Sequence, residues 1–214
     1  MRKKERFEKI IAWFSEHNPA AETELVYRNP FELLVSVILS AQCTDKRVNM
    51  VTPALFKRFP DPETLAAASS DEVFTYIKSI SYPNNKAKHL VGMAKILLEK
   101  FGGRVPDNVD DLQLMPGVGR KTANVIASVV YEKPALAVDT HVFRVSARLG
   151  LTSNARTPLQ TEQQLLKYIP EEKVAVAHHW LILHGRYTCT ARNPKCAECP
   201  FTEFCVYYKK NTAQ

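Results

Sequence analysis

Three kinds of side chain in this sequence can do more than fold. Four cysteines, Cys189, Cys196, Cys199 and Cys205, follow one another as C-x6-C-x2-C-x5-C. Thiols this close together, in a chain without an export signal, point to metal ligation rather than to disulfides. Only Cys196 and Cys199 form a C-x2-C pair, so the two-pair zinc ribbon is not matched, and neither are the usual ferredoxin spacings. On spacing, a structural zinc and a [4Fe–4S] cluster both stay open. Lys121 is the second candidate: a neutral amine can attack a carbon such as C1′ of a sugar and hold it as a Schiff base. Asp139 is the third, a carboxylate able to face developing positive charge. Each has a plainer alternative, a surface lysine in a first helical turn and a helix N-cap.

Lys121 does not stand alone. Pro116-Gly117-Val118-Gly119 makes a tight turn without Cβ atoms in the way, and a helix starts at Arg120. The free N–H groups of Gly117, Gly119 and the first helical turn form an anion site, with Arg120 and Lys121 adding charge. A nucleic-acid phosphate suits such a site. A dinucleotide fingerprint is excluded, because G-x-G-x-x-G is incomplete and no strand precedes it. An ordinary corner between helices would look the same in these few residues. The loop TARNPK between the first two cysteines carries Arg192 and Lys195, which suit a second phosphate contact. Cys43 reads as a small buried hydrophobe on an apolar helix.

The formal net charge of +7 favours an anionic partner, nucleic acid or an acidic membrane surface. The basic residues are dispersed, so no disordered basic tail is expected. The start, MRKKERFEK, is not followed by an apolar signal core, and the longest apolar stretch, 31–41, is too short to span a bilayer. The expected location is therefore the cytoplasm.

The elements that must position these residues are helical. Residues 3–17 put Phe7, Ile10, Ile11 and Phe14 on one stripe. Residues 31–42, FELLVSVILSAQ, are apolar nearly all round and predict a buried central helix. Thr44 and Asp45 can cap a helix to 59, and short helices follow at 62–68 and 70–79. Residues 84–101 predict a longer helix with Leu90, Ala94, Leu97 and Leu98 inward, ended by Gly102-Gly103. The hairpin follows as 110–115, the turn, and 120–131; then come helices at 139–149, 158–169 and 173–186. No alternating strand pattern is present, so the chain reads as all-α.

The stretches LMPGVGRKTANV, AVDTHVFRV, HHWLILHGRYTC and the cysteine tail together resemble the bacterial endonuclease III family of helix-hairpin-helix base-excision glycosylases, over about residues 7–208. The resemblance implies two helical domains with a DNA-binding cleft between them. One would be a six-helix domain at 22–132 with the helix-hairpin-helix at about 110–131; the other, the cluster domain, would combine 1–21 with 133–214. It implies a DNA glycosylase and abasic-site lyase acting on oxidised pyrimidines in double-stranded DNA, as a nucleoid-associated monomer without membrane attachment. Lys121 falls on the Schiff-base lysine, which the adenine-mismatch glycosylases lack, and Asp139 on the catalytic aspartate. The four cysteines fall on the ligands of a [4Fe–4S] cluster. The hairpin turn carbonyls would take a monovalent cation, and Gln42 would fill the gap left by a flipped nucleotide. At the other intercalating position, Gly-Leu-Tyr-Asn is replaced by Ser81-Tyr82-Pro83-Asn84, which puts Tyr82 in place of the leucine. Two alternatives are kept: a DNA-binding module with a structural metal, which leaves abasic DNA intact, and a monofunctional glycosylase, which releases base without nicking.

Overall fold

Helix α1 (Lys3–His17) buries Phe7, Ile10 and Phe14 along one stripe, with Ile11 at its half-buried edge. The computed structural model describes residues 1–212, and no strand is present among the described residues. Two compact units divide the chain: Met1–Glu22 together with the chain from Glu132 onward, and Thr23–Tyr131.

The unit Thr23–Tyr131 is built around α2 (Pro30–Ser40), every residue of which from Phe31 to Leu39 is buried. Asn29 caps it by accepting from the Glu32 amide, and Pro30 at the first position needs no partner for a missing N–H. Glu32 is buried too, and Arg28 gives it two guanidinium N–H bonds and a main-chain N–H. Around α2 lie α3 (Asp45–Arg58), α4 (Pro62–Ala67), α5 (Ser70–Ile77), α6 (Pro83–Phe101), α7 (Val109–Leu112) and α8 (Arg120–Tyr131). The caps are short polar side chains: Thr44, Asp61, Ser69 and Asn108 each accept an amide of the first turn. Helix α2 packs on α3, α6 and α8, and α6 also receives α4 and α5. Leu98, expected inward, is only half-buried. Helix α2 ends at Ser40, two residues short of expectation, so Cys43 lies in the following turn and is half-buried rather than a core residue.

The other unit adds α9 (Thr140–Leu149), α10 (Pro158–Leu166), α11 (Val174–Tyr187) and α12 (Val206–Thr212) to α1. Its core joins the α1 stripe to Val142, Val145 and Leu149 of α9, Leu165 of α10 and Trp180 of α11. Trp180 stacks on Phe14 at 5.5 Å and gives its indole N–H to Asn18 O at 2.7 Å, so the buried ring keeps a polar partner. Helix α12 was not expected: VYYKKNT has no apolar periodicity, and the helix packs on α9.

Candidate functional site

The hairpin is fixed by its apolar residues and left open by its glycines. Met115 and Val118 are buried, and the Val118 amide bonds Met115 O at 3.1 Å. Gly117 sits at φ +81°, and a Cβ there would stand 3.0 Å from that of His89. Gly92 of α6 lets Pro116 approach: a Cβ at Gly92 would be 3.1 Å from its ring. Gly119 differs, because a Cβ added there would meet nothing within 4 Å. Nothing inside the molecule demands glycine at 119, so the space outside the turn is open to a close-approaching group. Arg120 and Lys121 are exposed in the first turn of α8, directly after the glycine turn.

A second exposed tip belongs to the same unit. Gln42 and Tyr82 are both exposed, and both hold left-handed backbone, φ +54° and +56°. Residues with a Cβ occupy this region at a cost on the order of 1 kcal/mol each. The two are tied together. Ser81 Oγ donates to Gln42 O at 2.8 Å. Lys86, a residue only 5% exposed, donates through its ammonium to Leu39 O at 2.7 Å and Ala41 O at 2.6 Å, at the C-terminal end of α2. Burial pushes the Lys86 pKa down, while Cys43 acts weakly the other way. Sequence reasoning named Gln42 and Tyr82 but missed Ser81 and Lys86. A signal existed for one of them: Lys86, Leu90, Met93 and Leu97 share the buried stripe of α6, where a lysine needs a reason.

Asp139 begins α9 in the other unit. One carboxylate oxygen, Oδ1, accepts both the His141 and Val142 amides at 2.8 Å. Both cap bonds therefore fall on one oxygen of the carboxylate. The approach to Asp139 is held as well, because an N–H at His178 Nδ1 donates to Ala137 O at 2.8 Å.

The far end of α9 holds the cysteine loop. Arg144 donates to Gly185 O at 2.8 Å and Cys189 O at 3.2 Å. One turn on, Arg148 donates to Thr190 O at 2.6 Å and Ala191 O at 2.8 Å, reaches Cys189 Sγ at 3.5 Å, and lies over the Tyr207 ring at 4.3 Å. Arg192 and Lys195 are exposed on this loop. All four cysteines are free thiols and line one small pocket with Leu149, His184 and Tyr207. Burial pushes the Cys199 thiol up to about 11, partly opposed by the Phe201 amide, and raises Cys205 as well. Such thiols become thiolates only beside strong positive charge, which bound metal supplies. Among the described residues, no three His, Cys, Asp or Glu gather closely enough to hold a single metal ion. The four sulfurs line one common pocket, which suits their holding a shared metal group.

Comparison with known proteins gives the class first. The HhH-GPD superfamily of base excision DNA repair proteins matches residues 35–171, and the iron-sulfur binding domain of endonuclease III matches residues 189–205. Endonuclease III of Rickettsia prowazekii (strain Madrid E) is 48% identical over 200 residues, covering 94% of this chain and 94% of its own. That of Bacillus subtilis (strain 168) is 50% identical over 187 residues, covering 87% and 85%. A solved structure of a trapped endonuclease III–DNA covalent intermediate superposes with a TM-score of 0.93 at 43% identity, covering 99% of this chain and 100% of that one. The chain belongs to the endonuclease III family of the HhH-GPD superfamily. Its cofactor is a [4Fe–4S] cluster.

Proposed function

We propose that Lys121 is the nucleophile and Asp139 its carboxylate partner in the removal of oxidised pyrimidines from double-stranded DNA. The protein is a bifunctional base-excision repair glycosylase and abasic-site lyase. The damaged nucleotide is flipped out of the duplex, because its sugar cannot be reached inside the stack. The neutral Lys121 amine attacks C1′, the glycosidic bond breaks, and the base leaves with the bonding electrons and takes up a proton. Asp139 accepts the proton lost by the amine and stabilises positive charge at the sugar through Oδ2. The sugar ring opens to a Schiff base between Lys121 and C1′. Removal of a C2′ proton then expels the 3′ phosphate by β-elimination, which nicks the strand. The observation that carries this reading is an exposed lysine in the first turn of α8, beside a turn whose glycines leave its outer face open.

The amides of Gly117 and Gly119, with Arg120, grip phosphate, and Arg192 and Lys195 form a second phosphate contact. The hairpin turn carbonyls suit a monovalent cation. Gln42 and Tyr82 occupy the gap left by the flipped nucleotide, with Tyr82 as an aromatic wedge. Cys189, Cys196, Cys199 and Cys205 would hold the [4Fe–4S] cluster, which supplies the fixed frame on which the loop bearing Arg192 and Lys195 is folded. No helix among the described residues is long and apolar enough to cross a membrane, and we place the protein at the nucleoid, with its substrate.

Borohydride reduction should trap a covalent complex between the wild-type protein and duplex DNA with an abasic site, and Lys121→Gln should abolish it. Trapping that persisted in the variant would remove Lys121 from its role. Asp139→Asn keeps a good cap, so the fold should survive while base release slows by about 10²- to 10⁴-fold.

A further inference from the structure

Ser81 and Lys86 take no part in the chemistry above, yet both are aimed at the main chain of the Gln42 tip. Ser81 Oγ bonds the carbonyl of Gln42 itself, and Lys86 Nζ bonds those of Leu39 and Ala41. Ser81 is also the residue before Tyr82, and Lys86 lies in the first turn of α6, whose N-cap is Tyr82; the Lys86 amide bonds Tyr82 O at 3.2 Å. Two left-handed residues with side chains, forty positions apart in sequence, are thus pinned by the same two neighbours. Left-handed backbone at a residue bearing a Cβ persists only where its surroundings over-determine it. A lysine ammonium is costly to bury, and here its hydrogen bonds run to main-chain carbonyls, so what it secures is a backbone path rather than a partner charge.

We propose that Ser81 and Lys86 are positioning residues that lock Gln42 and Tyr82 into one preformed two-pronged probe, so that discrimination of an abasic or flipped site depends on both prongs entering together. The proposal rests on the reading of Gln42 and Tyr82 given above. A probe ordered beforehand gives up no conformational freedom on binding; released from Ser81, it must be ordered by the DNA.

The test uses a duplex with a tetrahydrofuran abasic analogue and 2-aminopurine opposite it, alongside the same duplex undamaged. Ser81→Ala should lower the ratio of the two affinities about five-fold, the usual worth of one such hydrogen bond. It should weaken the change in 2-aminopurine fluorescence and leave the affinity for undamaged duplex unchanged, with the melting temperature lowered by about 4 °C at most. Ser81→Thr, which keeps the hydroxyl, should restore the ratio. In a Gln42→Ala background, Ser81→Ala should cost much less, because the prong it positions is gone. Lys86→Met should lose at least as much discrimination, read below its own melting transition; if it does not fold, the Ser81 series alone decides. Wild-type discrimination in Ser81→Ala, or full additivity with Gln42→Ala, would overturn the proposal while borohydride trapping by the wild type left the functional reading standing. A wild type that bound both duplexes alike and trapped no abasic DNA would overturn both.

Discussion

Two turns of the unit Thr23–Tyr131 present themselves outward by opposite means. The hairpin strips its outward positions of side chains: Gly117 and Gly119 expose amides, and Met115 and Val118 anchor the turn from below. The tip at Gln42 and Tyr82 keeps its side chains and holds them on left-handed backbone that glycine would adopt more cheaply. A surface that grips the uniform phosphate backbone gains from bare amides, whereas a surface that probes a base pair needs side chains in fixed positions. The strain is therefore confined to the tip that keeps its side chains and is absent from the turn that bares its backbone. Gly117, left-handed as well, pays no Cβ penalty.

The glycines give the largest way to break this contrast. Gly119→Ala should fold normally, since a Cβ there meets nothing in the chain, yet lose about 10- to 100-fold in affinity for any duplex, damaged or not. Gly117→Ala should instead lower stability by about 1–3 kcal/mol, through φ +81° and the contact with His89. Thermal melting beside a duplex-binding titration separates the two; equal affinity in Gly119→Ala would remove the phosphate role of the turn. Tyr82→Gly should act in the reverse sense. Stability should rise by about 1 kcal/mol as left-handed strain is relieved, while preference for abasic over undamaged duplex falls about ten-fold as the ring is lost. A variant that kept its preference would show that Tyr82 is no wedge. The smallest effect is expected on the cysteine loop. Changing Arg192 and Lys195 together to Gln should flatten the salt dependence of binding by about two in the log–log slope and leave damage preference and the cluster's absorbance unchanged. That result would group the loop with the hairpin; a change in damage preference would group it with the tip.

What the sequence made legible follows from how local each feature is. Lys121, the glycine turn and the four cysteines are each contained in one short segment, so their types and spacing could be read directly. Asp139 was readable as a cap or as a reacting carboxylate, and the structure puts both cap bonds on Oδ1. The tie from Ser81 to Gln42 spans 39 positions and that from Lys86 to Leu39 spans 47, and no local pattern encodes either. Cys43 was misplaced because FELLVSVILSAQ reads as helix to its end, while the chain leaves the helix after Ser40, where the Lys86 ammonium takes the carbonyls of Leu39 and Ala41. Arg144 and Arg148 were overlooked for the same reason, since their partners lie more than forty residues away on the cysteine loop.

On the proposed mechanism one lysine, Lys121, forms the bond to DNA. Peptide mapping by mass spectrometry of the borohydride-trapped complex tests it most directly. A single reduced sugar adduct is expected on the peptide containing Lys121, none on the peptide containing Lys86, and no complex at all from Lys121→Gln. An adduct on another lysine, or an undiminished one in Lys121→Gln, would contradict it.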